Sequence, residues 1–170
     1  PFYAWISFLT TKYWFFIITI IWLLKNIKSK GNILILGARN RFIQRIIEYT
    51  HNQLNYYIVD KVNPELNINN LNYFCHDLND SMPFHDGLFD CIIADQLIEH
   101  LSDPDTLITE MHRIGKKHCR TIIGSENLAS WHNIFSLILG FHPFSDHYSN
   151  KVRLGNPLSI HYKKPFEDPY

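Results

Sequence analysis

A chain of 170 residues, 46% of them hydrophobic and 19% charged, is long enough for one globular domain with its own core and too short to predict two. Its 16 basic and 16 acidic residues give a formal net charge of zero. This balance argues against the basic surface of a dedicated nucleic-acid-binding protein, so we expect no nucleic acid among the partners.

The cysteines and histidines do not form the patterns of a disulfide framework or a metal site. Cys75, Cys91 and Cys119 include no CxxC pair, and the ten histidines show no HExxH spacing. Cys75 and Cys91 lie in or beside apolar runs, so we predict that both are buried free thiols. This pattern suits a reducing compartment, and we expect a cytoplasmic protein.

The first 30 residues form a separate apolar segment. Residues 2–24 are mostly aromatic or aliphatic, and Lys12 interrupts them. The uninterrupted part is shorter than the ~20 residues of a membrane-spanning helix, but the whole segment is long enough if Lys12 extends its amine to the surface. We predict an apolar helix over residues 1–30. Its location is left open: across or against a membrane, packed on the domain, or at an interface. The chain begins with Pro1 rather than methionine, as a fragment would.

Strands and helices are predicted to alternate between residues 31 and 145. Apolar runs predict strands at residues 33–36, 56–59, 73–75, 89–94 and 120–124. Helices are predicted at residues 42–49, 96–101, 104–114 and 131–139, the third of them capped by Asp103 and ended by Gly115. Such alternation indicates a parallel sheet covered on both faces. Residues 146–170 are predicted to be an irregular tail.

The turn after the first predicted strand is where a domain of this kind brings its backbone closest to a nucleotide. A glycine-rich turn is typical of that contact. Here only Gly37 is a glycine; Ala38 is small, whereas Arg39 and Arg41 are bulky and charged. Taken alone, the turn leaves a ligand contact and an ordinary strand-to-helix connection equally open.

Acidic residues follow three of the predicted strands. Asp60 lies about 20 residues beyond Gly37, where a carboxylate accepts the hydroxyls of a ribose. Asp77 follows the next strand and is placed to accept a hydrogen bond from an adenine amino group. The alternatives are a solvated loop acid for Asp60 and, for Asp77, an Asx turn that opens the loop at Asn79. Asp95 follows the fourth strand and faces the same crevice, with His100 a helical turn beyond it.

Residues 31–145 resemble the class I S-adenosylmethionine-dependent methyltransferases. The most specific part, residues 77–117, contains in order Asp-Leu, a Pro-Phe-x-Asp-Gly loop, Phe-Asp, an apolar strand, Glu-His-Leu, Asp-Pro and Glu-Met-x-Arg. This order resembles the methyltransferase-11 type, and residues 111–144 resemble the MetW-like branch.

The resemblance implies a Rossmann-like three-layer sandwich with a mostly parallel sheet that binds S-adenosylmethionine. It implies these cofactor contacts: Gly37 and Ala38 under the amino-acid part, Asp60 at the ribose, Asp77 and Leu78 at the adenine, and Asp95 and Gln96 near the methionine part. The methyl acceptor is expected to be a small molecule or a cell-envelope precursor. Asp95, His100 and His132 are candidate bases for its activation.

Two departures from the family keep a second hypothesis open. The glycine loop retains only Gly37, and the antiparallel hairpin that closes the family's sheet is not recognisable before Tyr170. A degenerate module that binds a partner or a membrane without chemistry would tolerate both departures. A nicotinamide-dependent oxidoreductase is disfavoured, because the full GxGxxG motif is absent.

Overall fold

The computed structural model describes residues 4–6, 20–27, 30–37, 40–50, 54–61, 71–144 and 156–158. By compactness the chain divides into two units. The first contains residues 1–7, 11–125 and 170, and the second contains residues 8–10 and 126–169. The domain boundaries predicted near residues 30 and 145 stay predictions.

A parallel sheet forms the centre of the first unit. Its strands are β1 (Ala4–Ile6), β2 (Asn32–Leu36), β3 (Asn55–Asp60), β4 (Leu71–Cys75), β5 (Phe89–Asp95) and β6 (Gly115–Gly124). They lie in the order β1-β6-β5-β2-β3-β4, and within the described ranges every neighbouring pair is parallel. The five predicted strands all fall inside observed ones, which confirms the mostly parallel α/β class.

Helices cover both faces of this sheet. They are α1 (residues 20–25), α2 (Asn40–Thr50), α3 (Pro104–Ile114) and a 3-10 helix at Ile98–His100. Alternate side chains of β2 enter opposite cores, as strand geometry requires. Ile33 and Ile35 pack in the core that contains α1 and α2, and Leu34 and Leu36 pack in the core that contains α3. The result is the predicted three-layer arrangement.

The apolar N-terminal segment is not helical throughout. Residues 4–6 form β1, which pairs with β6 through Ala4–Thr121, Trp5–Ile122 and Ile6–Ile123. The helix expected there is wrong, because aromatic and β-branched residues also favour strands and β6 offers them an edge. Residues 20–25 are helical, as expected. No helix among the described residues is long and apolar enough to cross a membrane, and residues 7–19 lie outside the described ranges.

The two thiols predicted to be buried differ in their surroundings. Cys91, in the central strand β5, is fully buried, and this burial raises the pKa of its thiol. Cys75 is exposed, so its predicted burial is wrong. The reason is that β4 lies at one end of the described sheet, where alternate residues face solvent.

Both ends of α3 lie where the sequence predicts them. At the N-cap, the Asp103 carboxylate accepts the Thr106 N–H at 3.2 Å and the Thr106 hydroxyl at 2.6 Å. Gly115 is extended rather than left-handed, and β6 begins there without a loop. A Cβ on Gly115 would lie 3.0 Å from the Met111 carbonyl oxygen and from Cys119 Cβ. A side chain at this position would therefore crowd both groups.

The second unit contains α4 (Trp131–Ile138) and the short described segment 156–158. This helix is confirmed to within one residue of its predicted end.

The helix predicted at residues 96–101 is reduced to the 3-10 turn Ile98–His100. Most of the predicted irregular tail lies outside the described residues.

Candidate functional site

Three of the predicted site residues, Gly37, Asp60 and Asp95, lie at the carboxyl edge of the sheet. Leu36 of β2 is in register with Val59 of β3 and with Ala94 of β5. The next residue on each strand, Gly37, Asp60 or Asp95, therefore lies in one row across three neighbouring strands. Neighbouring strands are roughly 5 Å apart, so the two acids flank Gly37 from either side. This edge is where open parallel sheets bind ligands.

Gly37 occupies a backbone conformation that favours glycine. Its φ is +59°, it is buried, and its N–H donates to the Val59 carbonyl oxygen at 3.0 Å. A side chain at this position would be strained. The one glycine that the turn retains thus lies where the chain leaves β2. Ala38 and Arg39 lie outside the described residues, as does the Arg41 side chain, so the effect of the two arginines stays a prediction.

The end of β3 is held firmly against β4. Asp60 is buried, and its carbonyl oxygen accepts the Tyr73 hydroxyl at 2.8 Å and the His76 N–H at 3.3 Å. Burial, with Cys75 nearby, raises the pKa of Tyr73 to about 12, so its hydroxyl stays protonated and keeps donating. Asp60 is therefore the last residue of an anchored strand and not the solvated loop acid of the alternative reading.

Asp77 forms the Asx turn that the sequence left open. Its Oδ1 accepts the Asn79 backbone N–H at 3.0 Å and the Asn79 side-chain amide at 2.9 Å, and its Oδ2 lies 3.1 Å from Lys61 Nζ. These donors, the Asn79 backbone foremost, hold the pKa of Asp77 at about 2. Because a carboxylate oxygen accepts two hydrogen bonds, Oδ2 retains capacity for one more. The turn and a ligand contact are compatible.

Leu78 does not present its side chain to a ligand. The side chain is buried in the core between the sheet and α3. Packing of this leucine against an adenine ring, one of the sequence-based expectations, does not fit that position. The group of Leu78 that can contact a ligand is its backbone N–H, which lies next to the Asp77 carboxylate.

Gln96 and Asp95 form a strained corner after β5. Gln96 has φ +53°, which is uncommon for a residue with a side chain, and its N–H donates to the Gly124 carbonyl oxygen at 2.8 Å. Asp95 and His100 are both partly buried in the first unit. His132, the third candidate base, belongs to the second unit, where it lies 3.2 Å from the Ser130 hydroxyl. In the described ranges no cluster of His, Cys, Asp or Glu could hold a metal ion.

Asn79 is a site residue that sequence reasoning treated only as a turn position. Its side chain donates to Asp77 through Nδ2, and its Oδ1 accepts the Ser102 N–H at 3.0 Å and the Ser102 hydroxyl at 2.8 Å. One amide thereby ties Asp77 to the segment that begins α3. The Asn-Asp-Ser turn composition was the only signal of this role in the sequence.

Replacing Asn79 by alanine should raise the pKa of Asp77 but leave it below its ordinary value. The variant loses the side-chain donor and keeps the backbone N–H and Lys61. Carboxyl-carbon NMR titration measures this pKa directly. Asn72→Ala is the matched control, since the Asn72 amide donates instead to the Tyr56 carbonyl oxygen at 3.3 Å. An unchanged Asp77 titration in Asn79→Ala would contradict the assignment.

The Glu-Met-x-Arg motif anchors the loop that follows Asp77. Arg113 makes two hydrogen bonds to Glu110, at 2.8 and 2.7 Å, and three to the loop: to the carbonyl oxygens of Phe84 (2.7 Å) and Met82 (3.1 Å) and to Asp86 (2.8 Å). All five guanidinium N–H donors are therefore used.

Glu110 completes this network from the other side. It accepts the Met82 N–H at 2.7 Å and the Ser81 hydroxyl at 3.1 Å in addition to Arg113. The Arg113 hydrogen bond is the main cause that lowers the pKa of Glu110 to about 2. The motif thus fixes the loop by contacts to backbone groups about 30 residues away in sequence, which no local pattern reveals.

Comparison with solved structures gives the same fold. A protein from Bacillus halodurans described as a methyltransferase is 14% identical, with a TM-score of 0.55 over 72% of this chain and 55% of its own. One from Anabaena variabilis, described as a methyltransferase from an antibiotic biosynthesis pathway, is 18% identical, with a TM-score of 0.55 over 73% of this chain and 51% of its own.

A third match, from Methanococcus maripaludis, is described as an S-adenosyl-L-methionine-dependent methyltransferase. It is 16% identical, with a TM-score of 0.52 over 64% of this chain and 54% of its own. The chain thus spans about half the length of the structures that it matches. At these identities the likeness establishes the fold alone. No curated protein matches the chain.

The sequence itself matches a family model. The model is described as a methyltransferase domain, and it matches residues 36–123, just over half of the chain. This range runs from the end of β2 through most of β6 and includes Gly37, Asp60, Asp77 and Asp95. It confirms the predicted class and supports S-adenosylmethionine as the cofactor. The chain belongs to the methyltransferase domain family.

Proposed function

We propose that the protein transfers the methyl group of S-adenosylmethionine to an acceptor that is a small molecule or a cell-envelope precursor. The observation that carries this proposal is the row of Gly37, Asp60 and Asp95 at the carboxyl edge of the sheet, with ionised Asp77 beside it. A tight glycine turn between two carboxylates matches the chemistry of a nucleoside that offers hydroxyl and amino donors.

Each acid has a distinct part in this proposal. The Asp60 carboxylate accepts the two ribose hydroxyls, and the buried position of Asp60 strengthens those hydrogen bonds. Asp77 Oδ2 accepts the adenine amino group, and the Leu78 N–H next to it donates to the neighbouring ring nitrogen. Asn79 and Lys61 keep the Asp77 carboxylate ionised and in one orientation. Gln96 and Asp95 lie toward the methionine part.

Methyl transfer requires little of the protein beyond positioning the cofactor and the acceptor. When bound, S-adenosylmethionine supplies a methyl group on a positively charged sulfur that leaves as a neutral thioether. The residues of this chain need to orient the acceptor oxygen or nitrogen in line and exclude water. Asp95 or His100 takes the acceptor proton where the acceptor carries one. A degenerate binding module is the less favoured alternative, since Gly37, Asp60 and Asp95 lie in one row at the sheet edge.

Calorimetric titration with S-adenosylmethionine tests the proposal. The intact chain should bind, and Asp60→Ala should bind about 100-fold or more weakly, because two hydrogen bonds to a charged group are lost. Asp105→Ala is the control, because this acid is exposed on the first turn of α3 and should leave the affinity unchanged. Absence of binding by the unaltered protein would refute the proposal.

A further inference from the structure

The backbone at the end of β3 is held by side chains of β4. The Tyr73 hydroxyl donates to the Asp60 carbonyl oxygen at 2.8 Å. The Cys75 thiol donates to the next carbonyl oxygen along the chain, that of Lys61, at 3.5 Å. The His76 N–H also donates to the Asp60 carbonyl oxygen, so both acceptor positions of that oxygen are filled. Side chains of one strand therefore fix two successive peptide groups of its neighbour.

Tyr73 is the residue of β4 that is best placed to hold this peptide rigidly. It lies in register with Ile58, two residues before Asp60, so its side chain is on the same face of the sheet as the Asp60 carboxylate. Its ring packs against the core that contains α1, α2 and Ile58, and this packing restricts the position of the hydroxyl. Backbone groups already pair β3 with β4 as far as Asp60. The Tyr73 hydrogen bond is therefore additional to strand pairing and acts on one peptide group.

The peptide that Tyr73 holds carries the carboxylate that we propose binds the ribose. The aspartate side chain is short, so the position of the Asp60 carboxylate closely follows the position of its backbone. One carboxylate can accept both ribose hydroxyls only within a narrow range of positions, because hydrogen bonds weaken steeply away from their preferred length and angle. The same backbone leads into Lys61, whose ammonium lies 3.1 Å from Asp77 Oδ2. A displaced Asp60 peptide would therefore disturb the ribose contact first.

We infer that Tyr73 is a positioning residue of the ribose site. Its hydroxyl holds the Asp60 peptide and thereby directs the Asp60 carboxylate toward the two ribose hydroxyls, and it does not need to touch the ligand to do so. This role rests on the proposed function, because it requires S-adenosylmethionine to bind at this edge of the sheet. It adds to that function a side chain of the neighbouring strand that sets the affinity for the ribose.

Calorimetric titration of two tyrosine variants of the full chain with S-adenosylmethionine tests this role. Tyr73→Phe keeps the ring in the core and should bind about 5-fold more weakly, because the hydrogen bond that fixes the Asp60 peptide is lost. Tyr56→Phe is the matched control, since Tyr56 lies in the same core and its hydroxyl forms a hydrogen bond with Thr50 instead. This control should bind as the unaltered protein does. Thermal unfolding of both variants measures the stability that each loses.

The Asp60→Ala variant separates positioning of the carboxylate from a general effect on the fold. This variant keeps the backbone carbonyl but has no carboxylate to direct, so adding Tyr73→Phe to it should cause no further loss of affinity. Two results would overturn the role of Tyr73 and leave the proposed function standing. One is unchanged affinity of Tyr73→Phe beside a weakened Asp60→Ala, and the other is an equal loss from Tyr73→Phe in both backgrounds. Absence of binding by the unaltered protein would overturn both.

Discussion

Replacing Arg113 by methionine is expected to lower the free energy of unfolding by ~3–5 kcal/mol, a large part of the ~5–15 kcal/mol of a typical domain. The guanidinium makes five hydrogen bonds that join α3 to the loop after Asp77. Its removal leaves the Glu110 carboxylate, with a side chain only 10% exposed, without a cation. The Phe84 carbonyl oxygen also loses the Arg113 donor, and the Met82 carbonyl oxygen keeps only the Phe84 N–H.

Equilibrium unfolding in denaturant measures this effect. Arg113→Lys should fall between the unaltered protein and Arg113→Met, because one ammonium group retains the charge but cannot reach all five partners. Lys117→Met removes a positive charge from an exposed position and should change stability by less than ~0.5 kcal/mol. If Arg113→Met were as mild as Lys117→Met, the loop would not depend on this network.

The stability of the protein should fall at acid pH partly through Glu110. In the folded protein its pKa is about 2, against an ordinary value of 4.5, chiefly because Arg113 donates to the carboxylate. A lowered pKa stabilises the fold at pH values above the ordinary one, and the benefit is lost as the pH falls from about 4.5 to about 2. Linkage makes this contribution ~3 kcal/mol for so buried a carboxylate.

Denaturant unfolding as a function of pH isolates this contribution. The pKa values of Asp77 and Asp103 are also lowered, so the informative quantity is the difference between the unaltered protein and Glu110→Gln. Glu110→Gln should be the less stable protein at neutral pH, and its stability should change less between pH 4.5 and pH 2. Parallel pH curves for the two proteins would contradict the role given to Glu110.

The parts of the fold that were predicted are those whose physical cause is local. Strands β2 and β5 are buried on both faces, so their sequences are nearly continuous apolar runs. Helix α3 has its cap within three residues. In contrast, β1 exists because it pairs with β6, and the first half of β6 consists of exposed polar residues such as Lys116 and Lys117. Neither tertiary pairing nor an exposed strand leaves a periodic signal.

The residues of the candidate site also divide into those with a local signal in the sequence and those whose role depends on tertiary contacts. Asp60 and Asp95 were predicted because they end apolar runs, and the register of the sheet places them in one row with Gly37. Leu78 was assigned to the ligand by analogy, but its side chain serves the core. Arg113 and Asn79 act on groups 23 or more residues away in sequence. Such contacts form only in the folded chain, so the residue types in the sequence do not reveal them.

The passage from α3 into β6 leaves β6 more tolerant than α3 of a change in chain length. The helix ends at Ile114 and the strand begins at the next residue. A residue inserted or deleted within α3 would turn its apolar face about 100° away from its core. The pairing of β6 with β5 is irregular between Gly115 and Arg120, where β6 advances by more residues than the strand opposite it. Variation in length among related proteins should therefore fall within residues 116–119 and not within α3.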